Sequence, residues 1–145
     1  MIALEMAKFI EVEKVILISS ALTPQAIPPY FKMMSKLKIQ RWVSPSTMKR
    51  PNELLYWLFG ISQREHKNLL ASIMNDTDVS FFLWAIESIM LWKGKSCTGA
   101  VIQVHRTKDR ILNFKTADYA IAGGGHLMII TKAREVSDIL KQVLV

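Results

Sequence analysis

Two short apolar runs in the last third of the chain constrain its fold most. Residues 100–104 read AVIQV and lead to a turn that carries Asp109, and residues 119–123 read YAIAG and lead through two more glycines to His126. Both runs have the length and the flanking turn residues of β-strands. Residues 111–118, between them, are long enough for a short helical crossover. A strand, a crossover and a strand predict parallel strands, so Asp109 and His126 should lie at the same, C-terminal, edge of one sheet.

The beginning of the chain predicts a helix followed by another strand. Residues 1–10 place apolar side chains on one helical face, and residues 15–19 begin with VILI, a run without alternation that is typical of a strand covered on both faces. The amphipathic tail, residues 131–145, predicts a final helix that covers the sheet. We therefore predict an α/β fold with three parallel strands, at 15–19, 100–104 and 119–123, flanked by helices.

The middle of the chain predicts a helical insertion between the first and second strands. Prolines mark its start, and helix-capping residues divide the rest into four amphipathic segments. We expect the fourth of these helices to pack on the sheet. The first predicted helix spans residues 30–43, and the second spans residues 52–59, with Pro51 before it and Gly60 at its end. The third is predicted to begin with a capping box formed by Ser62 and Glu65. The fourth is predicted to start at Thr77 or Asp78.

The residues around the two candidate side chains resemble a known family. HRTKD at residues 105–109 and GGH at residues 124–126 are similar to the H-G-x-x-D and G-G-H segments of α/β-hydrolases. That family carries its serine, acid and histidine in this order along the chain. The resemblance implies that Asp109 is the catalytic acid and His126 the catalytic base of a triad. Arg106 departs from the pattern, since the family usually has glycine there, and it makes the turn bulkier.

The first residues extend the resemblance. MIALEMAKFI is similar to the body of the helix that follows the family's nucleophile elbow, G-x-S-x-G, and VEKVILISSA is similar to its sixth strand. The elbow itself is missing, because no serine of this chain has glycine two residues away on both sides. The resemblance thus covers nearly all of the chain but only the second half of the family's fold.

This resemblance implies a partial α/β-hydrolase fold with a cap. Residues 1–21 and 93–145 would form the C-terminal part of the hydrolase core, residues 22–76 a helical cap, and residues 77–92 a core helix leading to the second strand. Apolar side chains of the cap could line a pocket; the candidates are Met33, Met34, Trp42, Trp57 and Phe59.

The implied function is that of the C-terminal part of a serine hydrolase that acts on carboxylic esters or related acyl compounds without a cofactor. Whether this chain is an enzyme by itself stays open, because the nucleophile is absent. The alternative is a non-catalytic interaction module that retains the sheet and the cap. The expected partners are a small-molecule acyl substrate in the full-length enzyme and either the missing N-terminal half or a second copy. The second copy would pair along the apolar strand edge that starts at Val15 and ends at Ile18.

Composition argues against several other classes. The net charge of +7 invites a nucleic-acid reading, but the positive residues are dispersed, so we expect no nucleic acid. No apolar run approaches the roughly 20 residues of a membrane span, so we expect no membrane partner. Acidic residues near the start argue against a secretory signal or a mitochondrial presequence, and the single cysteine fits a reducing compartment, so we expect a cytoplasmic protein.

The other polar residues and the glycine run give weaker indications of a catalytic or binding role. No His or Cys pair has the spacing of a zinc site, so we expect no metal. Residues 123–125 lack the phosphate-loop pattern and more plausibly turn the backbone into the histidine loop. Cys97 precedes a strand, at the edge opposite the candidate pair. We expect His105 to support the end of its strand and Asp118 to be a surface residue.

Overall fold

The computed structural model describes residues 1–36, 47, 50–94, 99–107, 109–113, 116–123 and 125–144. Within them the chain forms seven α-helices and three β-strands, with one turn of 3₁₀-helix at Pro24–Ala26. In chain order the elements are α1 Ile2–Met6, β1 Lys14–Ile18, α2 Pro29–Lys36, α3 Glu53–Phe59, α4 Arg64–Asp76, α5 Val79–Leu91, β2 Ala100–Arg106, β3 Tyr119–Ile121, α6 Met128–Thr131 and α7 Ala133–Val143.

The three strands form one parallel sheet, as the sequence predicted, and their order in it is β1-β2-β3. Ile16 is opposite Ile102, and His105 is opposite Ala120. β2 runs two residues further than predicted, to Arg106, whereas β3 is shorter and ends at Ile121. The carboxyl ends of all three strands therefore meet at one edge of the sheet.

Helices cover both faces of this sheet. On one face Leu4 and Ala7 pack against Val15 and Leu17, and all four side chains are buried. On the other face Val136 of α7 packs with three more buried side chains: Val104, Ile121 and Met128. Burying each large apolar side chain contributes about 1.5–3 kcal/mol, so the two layers hold the sheet from both sides. The α/β class predicted from the sequence is thereby confirmed.

The first helix is shorter than predicted. It ends at Met6, and the N–H groups of Lys8 and Phe9 donate to carbonyls only three residues earlier. This tighter spacing closes the last turn instead of continuing an α-helix. After Ala7 the apolar side chains leave the core: Phe9 is 87% exposed and Ile10 53%.

The helical insertion between β1 and β2 follows the predicted order, but several boundaries differ. Asn52, and not Pro51, caps α3, because its side chain accepts from the Leu55 N–H. Gly60 closes that helix in the left-handed region, at φ 68°, as predicted. The predicted capping box at Ser62 is wrong, since α4 begins at Arg64 after Gln63. The predicted helix over 30–43 is described only as α2, and its remainder lies outside the described residues.

The fourth helix of the insertion, α5, differs from the prediction in its packing. Asp78 caps it as predicted, accepting from the Phe81 N–H. Its main contact among the described elements is with α2 and not with the sheet, and none of its residues is buried. Among the described helices none is long and apolar enough to cross a membrane alone; α4 and α5 reach that length and composition only together, bent by 103°.

The link between β2 and β3 contains no helix in its described residues, 107, 109–113 and 116–118, so the predicted helical crossover is not found there. Instead Asp109 Oδ1 accepts hydrogen bonds from the backbone N–H groups of Ile111 and Leu112. An aspartate that binds the N–H groups two and three residues ahead closes a local turn, and the described residues after this turn do not continue it as a helix. The strands are parallel nonetheless.

β1 is an edge strand in the described part of the chain, because β2 is its only partner there. The Ser19 N–H donates to the Val104 carbonyl on β2. Backbone groups alternate sides along a strand, so the N–H groups of Ile16 and Ile18 point away from β2. This edge is therefore able to pair with another strand.

We predict that the chain self-associates through this edge at tens of micromolar, roughly the regime in which such edges associate. Ile16→Pro removes one outward N–H and should shift the chain towards monomer. Ile16→Ala is the matched control, because it shortens the same side chain but keeps the N–H. Light scattering measures the mass of each variant, and a monomeric wild type or a monomeric Ile16→Ala would contradict the prediction.

Candidate active site

Asp109 lies just past the carboxyl end of β2, with its side chain wholly buried. One carboxylate oxygen, Oδ1, accepts from the backbone N–H groups of Ile111 at 2.7 Å and Leu112 at 3.1 Å. These two bonds fix the plane of the carboxylate. The other oxygen, Oδ2, is thereby directed to the side chains that follow β2 and β3.

Asp109 Oδ2 contacts two imidazole rings. His126 Nδ1 lies 2.8 Å from it, so the structure brings together the acid and the histidine that the sequence predicted at one sheet edge. His105 Nε2 lies 3.2 Å from the same oxygen, and this ring is only 2% exposed. His105, at the end of β2, therefore supports the carboxylate from the interior, consistent with its predicted supporting place.

The electrostatics of this cluster keep Asp109 ionised. Burial raises the pKa of Asp109, but the hydrogen bonds from His105 and His126, the positive charge that His126 can carry and the Ile111 N–H together lower it well below its usual range. A carboxylate that accepts from Nδ1 holds the imidazole in the tautomer whose Nε2 carries the lone pair. His126 is thus arranged to accept a proton at Nε2.

His126 is placed at the surface of the site. Its side chain is 20% exposed, and the ring of Phe59, at the end of α3, meets it edge-on with centroids 5.7 Å apart. No hydrogen bond to Nε2 is present among the described residues. The ring is therefore held by Asp109 at Nδ1 and remains partly exposed.

Two glycines place the histidine loop. Gly123, directly after β3, has φ +68°, a conformation that L side chains rarely adopt. Gly125 has a different reason: a Cβ built there would lie 1.8 Å from the Phe59 carbonyl oxygen and 2.8 Å from Gly60 Cα. The end of α3 therefore rests directly on the backbone that leads into His126. Gly124 lies outside the described residues.

The two arginines that flank Asp109 have different environments. Arg110 is exposed, donates from Nη1 to the Trp57 carbonyl at 2.6 Å and lies over the Trp57 ring. Arg106 is 7% exposed, and its pKa is lowered, mainly by burial. The charge of Asp109 raises this pKa and the charge of Arg110 lowers it. Sequence reasoning treated Arg106 only as a bulkier turn residue. The sequence signal that could have indicated this environment was the arginine at the position where the H-G-x-x-D pattern has glycine.

The other predicted residues lie elsewhere or were placed differently. Asp118 is exposed, as predicted, and accepts from the Gln103 N–H at 2.7 Å. Cys97, Trp42 and the side chain of Met34 lie outside the described residues. Met33 and Trp57 are more than half exposed, so these two do not line an enclosed apolar pocket.

No serine hydroxyl among the described residues is hydrogen-bonded to His126. Ser19, directly after β1, is the one non-glycine residue with positive φ in the described part of the chain, at 45°, and its hydroxyl is buried without a partner. Among the described residues no three His, Cys, Asp or Glu side chains are grouped to hold a metal ion.

Comparisons of the chain with protein-family models, with curated proteins and with solved structures found no match.

We predict that Gly125→Ala destabilises the protein and displaces His126, because the new methyl group would overlap the Phe59 carbonyl oxygen. Overpacking of this kind costs about 1–3 kcal/mol or more. Gly123→Ala is the control: its Cβ would meet only the end of the Lys132 side chain, at 4.0 Å, so backbone strain of roughly 1 kcal/mol is its cost. Urea unfolding measures both, and equal losses would contradict the role given to the α3 contact.

We predict that Asp109 makes stability dependent on pH on the acid side. Its pKa is lower in the folded chain than in the unfolded chain, so its contribution is complete above the unfolded value of about 4 and is lost as pH falls towards the folded value. Asp109→Asn should cost about 1–3 kcal/mol at pH 7 and progressively less below pH 4.

Urea unfolding of both proteins between pH 3 and pH 7 measures this difference. Asp138→Asn, on the exposed face of α7, is the matched control and should follow the wild type across the range. A difference between wild type and Asp109→Asn that stays constant over the whole range would mean that the carboxylate charge contributes nothing.

Proposed function

We propose that this chain supplies the acid and the base of a serine hydrolase of the α/β-hydrolase type, acting on carboxylic esters or related acyl compounds. The observation that carries the proposal is the 2.8 Å contact of His126 Nδ1 with Asp109 Oδ2 at the carboxyl edge of a parallel sheet. The order of the two residues, acid after β2 and histidine after β3, is the order that this family uses.

In this mechanism His126 Nε2 takes the proton of a serine hydroxyl as the oxygen attacks the acyl carbon, and returns it to the leaving group. Asp109 stabilises the positive imidazolium without taking the proton itself, because its pKa is held low. The serine and the oxyanion-binding N–H groups would come from polypeptide outside these 145 residues.

The helical insertion would serve as the cap of such an enzyme. Phe59 faces the His126 ring, and the Arg110 side chain joins the insertion to the turn that carries Asp109 through the Trp57 carbonyl. A cap that contacts His126 and Arg110, the residue next to Asp109, would exclude water from one side of the reaction. Substrate would then enter between the end of α3 and the carboxyl ends of the strands.

A second function, that of a non-catalytic interaction module, has one observation in its favour. The outer edge of β1 has no strand partner in the described residues, and Ile2 of α1, the helix whose Leu4 packs against β1, is exposed. Edge pairing gives affinity without any chemistry at Asp109 and His126. Variants of those two residues would then leave partner binding unchanged.

We predict that a serine-directed fluorophosphonate does not label the 145-residue chain but labels a serine in a longer protein that includes it and an upstream nucleophile elbow. In that protein His126→Ala and Asp109→Ala should lower hydrolysis of an activated ester by about 10³-fold or more. Mass spectrometry and ester hydrolysis measure the two effects.

Matched controls are His66→Ala on α4 and Asp138→Asn on α7, which lie away from the pair and should keep wild-type rates. Stoichiometric labelling of a serine in the isolated chain would contradict the proposal that the nucleophilic serine comes from polypeptide outside these 145 residues. Wild-type hydrolysis by both His126→Ala and Asp109→Ala would overturn the proposed function.

A further inference from the structure

Arg106 is a buried cation without a described partner. Its Nε and Nη1 atoms are buried and donate to no hydrogen-bond acceptor among the described residues, and no carboxylate in that part of the chain forms an ion pair with it. Burial of an unpaired guanidinium is unfavourable, and such groups are normally paired. An anionic group from outside the described residues would stabilise this buried cation.

Asp109 is the nearest candidate in the chain, but its oxygens are already in use. Oδ1 accepts from two backbone N–H groups and Oδ2 lies between His105 and His126. Asp109 therefore attracts Arg106 only at longer range. The neighbouring Arg110 repels it, so an additional negative group near Arg106 would be stabilised by both arginines.

Arg106 lines a cleft of about 440 Å³ between the end of β2 and the start of α4. The charged residues of its wall are three cations and one carboxylate: Arg106, Arg110, Lys67 and Glu53. Lys67 is paired with Glu53, at 2.9 and 3.0 Å. These two largely compensate each other, so the arginines leave the cleft with an excess of positive charge.

The cleft adjoins the candidate active site. Arg106 and Arg110 stand on either side of Asp109 in the chain, and Gly60, which also lines the cleft, touches the backbone at Gly125. The volume lies within the usual range of small-molecule sites, about 300–1,000 Å³. A molecule of moderate size could place one end in the cleft and another near His126.

We propose that this cleft binds an oxyanion, the carboxylate or phosphate group of the acyl substrate, with Arg106 as its principal partner. A guanidinium donates charge-assisted hydrogen bonds to such a group, and these are stronger than hydrogen bonds between neutral groups. Only the identification of the anion as part of a substrate rests on the proposed function. The anion site itself is a property of this chain. It narrows the substrates to esters that carry a second, negatively charged group.

Thermal unfolding of the 145-residue chain tests the site, because a ligand that binds the folded state raises the midpoint. The probes are monoethyl succinate and inorganic phosphate, with diethyl succinate as the neutral match and chloride at equal ionic strength as the reference. We expect both anions, and not the diester, to raise the midpoint. The larger of the two shifts assigns carboxylate or phosphate.

The variants separate a binding role from a structural one. Arg106→Gln should raise the midpoint in chloride, since it removes an unpaired buried charge, and should weaken anion binding about tenfold or more. Glu53→Gln should tighten binding a few-fold by removing the one carboxylate of the cleft wall. Arg134→Gln, an exposed arginine on α7, is the control for general charge and should bind as the wild type does.

Three results would each overturn the inference, and two of them concern binding: no anion-dependent shift in the wild type, or an equal shift in Arg106→Gln. A lower midpoint of Arg106→Gln in chloride would also overturn it, because Arg106 would then have a structural partner. The outcome is separable from that of the proposed function. Serine labelling without anion binding removes only this inference, whereas anion binding without any labelling removes only the hydrolase.

Discussion

The carboxylate of Asp109 is the interaction on which the candidate site depends. Its two oxygens hold the backbone after β2 and the imidazole rings of His105 and His126, so one side chain joins the ends of two strands and the histidine loop. A buried charge is tolerated only when its hydrogen bonds are satisfied, and here four groups meet that need. The same bonds that stabilise the carboxylate also orient His126.

The parallel sheet supplies the frame for this cluster. Because β1, β2 and β3 run in the same direction, their carboxyl ends lie at one edge, and residues that follow β2 and β3 meet there without any further device. Apolar layers on both faces leave this edge as the place for polar side chains. The helical insertion then closes one side of the edge through Phe59 and Trp57.

The meeting of Asp109 and His126 was predictable from the sequence, because the link between the two strand-length runs is long enough for the crossover that parallel strands need. The environment of Arg106 was not, because its burial depends on how the end of α3 approaches β2. Gly125 was read as a turn residue, yet its requirement is the contact with the Phe59 carbonyl, which no local pattern encodes. The turn after β2 was also missed: Asp109 binds the N–H groups of Ile111 and Leu112, and the described residues after it form no helix, although the residue spacing allowed one.

The spacing of contacts along the chain has a consequence for the order of folding. Asp109 and His126 are 17 residues apart, whereas β1 pairs with β2 across the whole helical insertion. Closing a long loop costs more conformational entropy than closing a short one, so local contacts form first. The acid–base pair and the β2–β3 ladder can thus assemble before β1 docks, and the last strand to join the sheet is the one whose outer edge stays open.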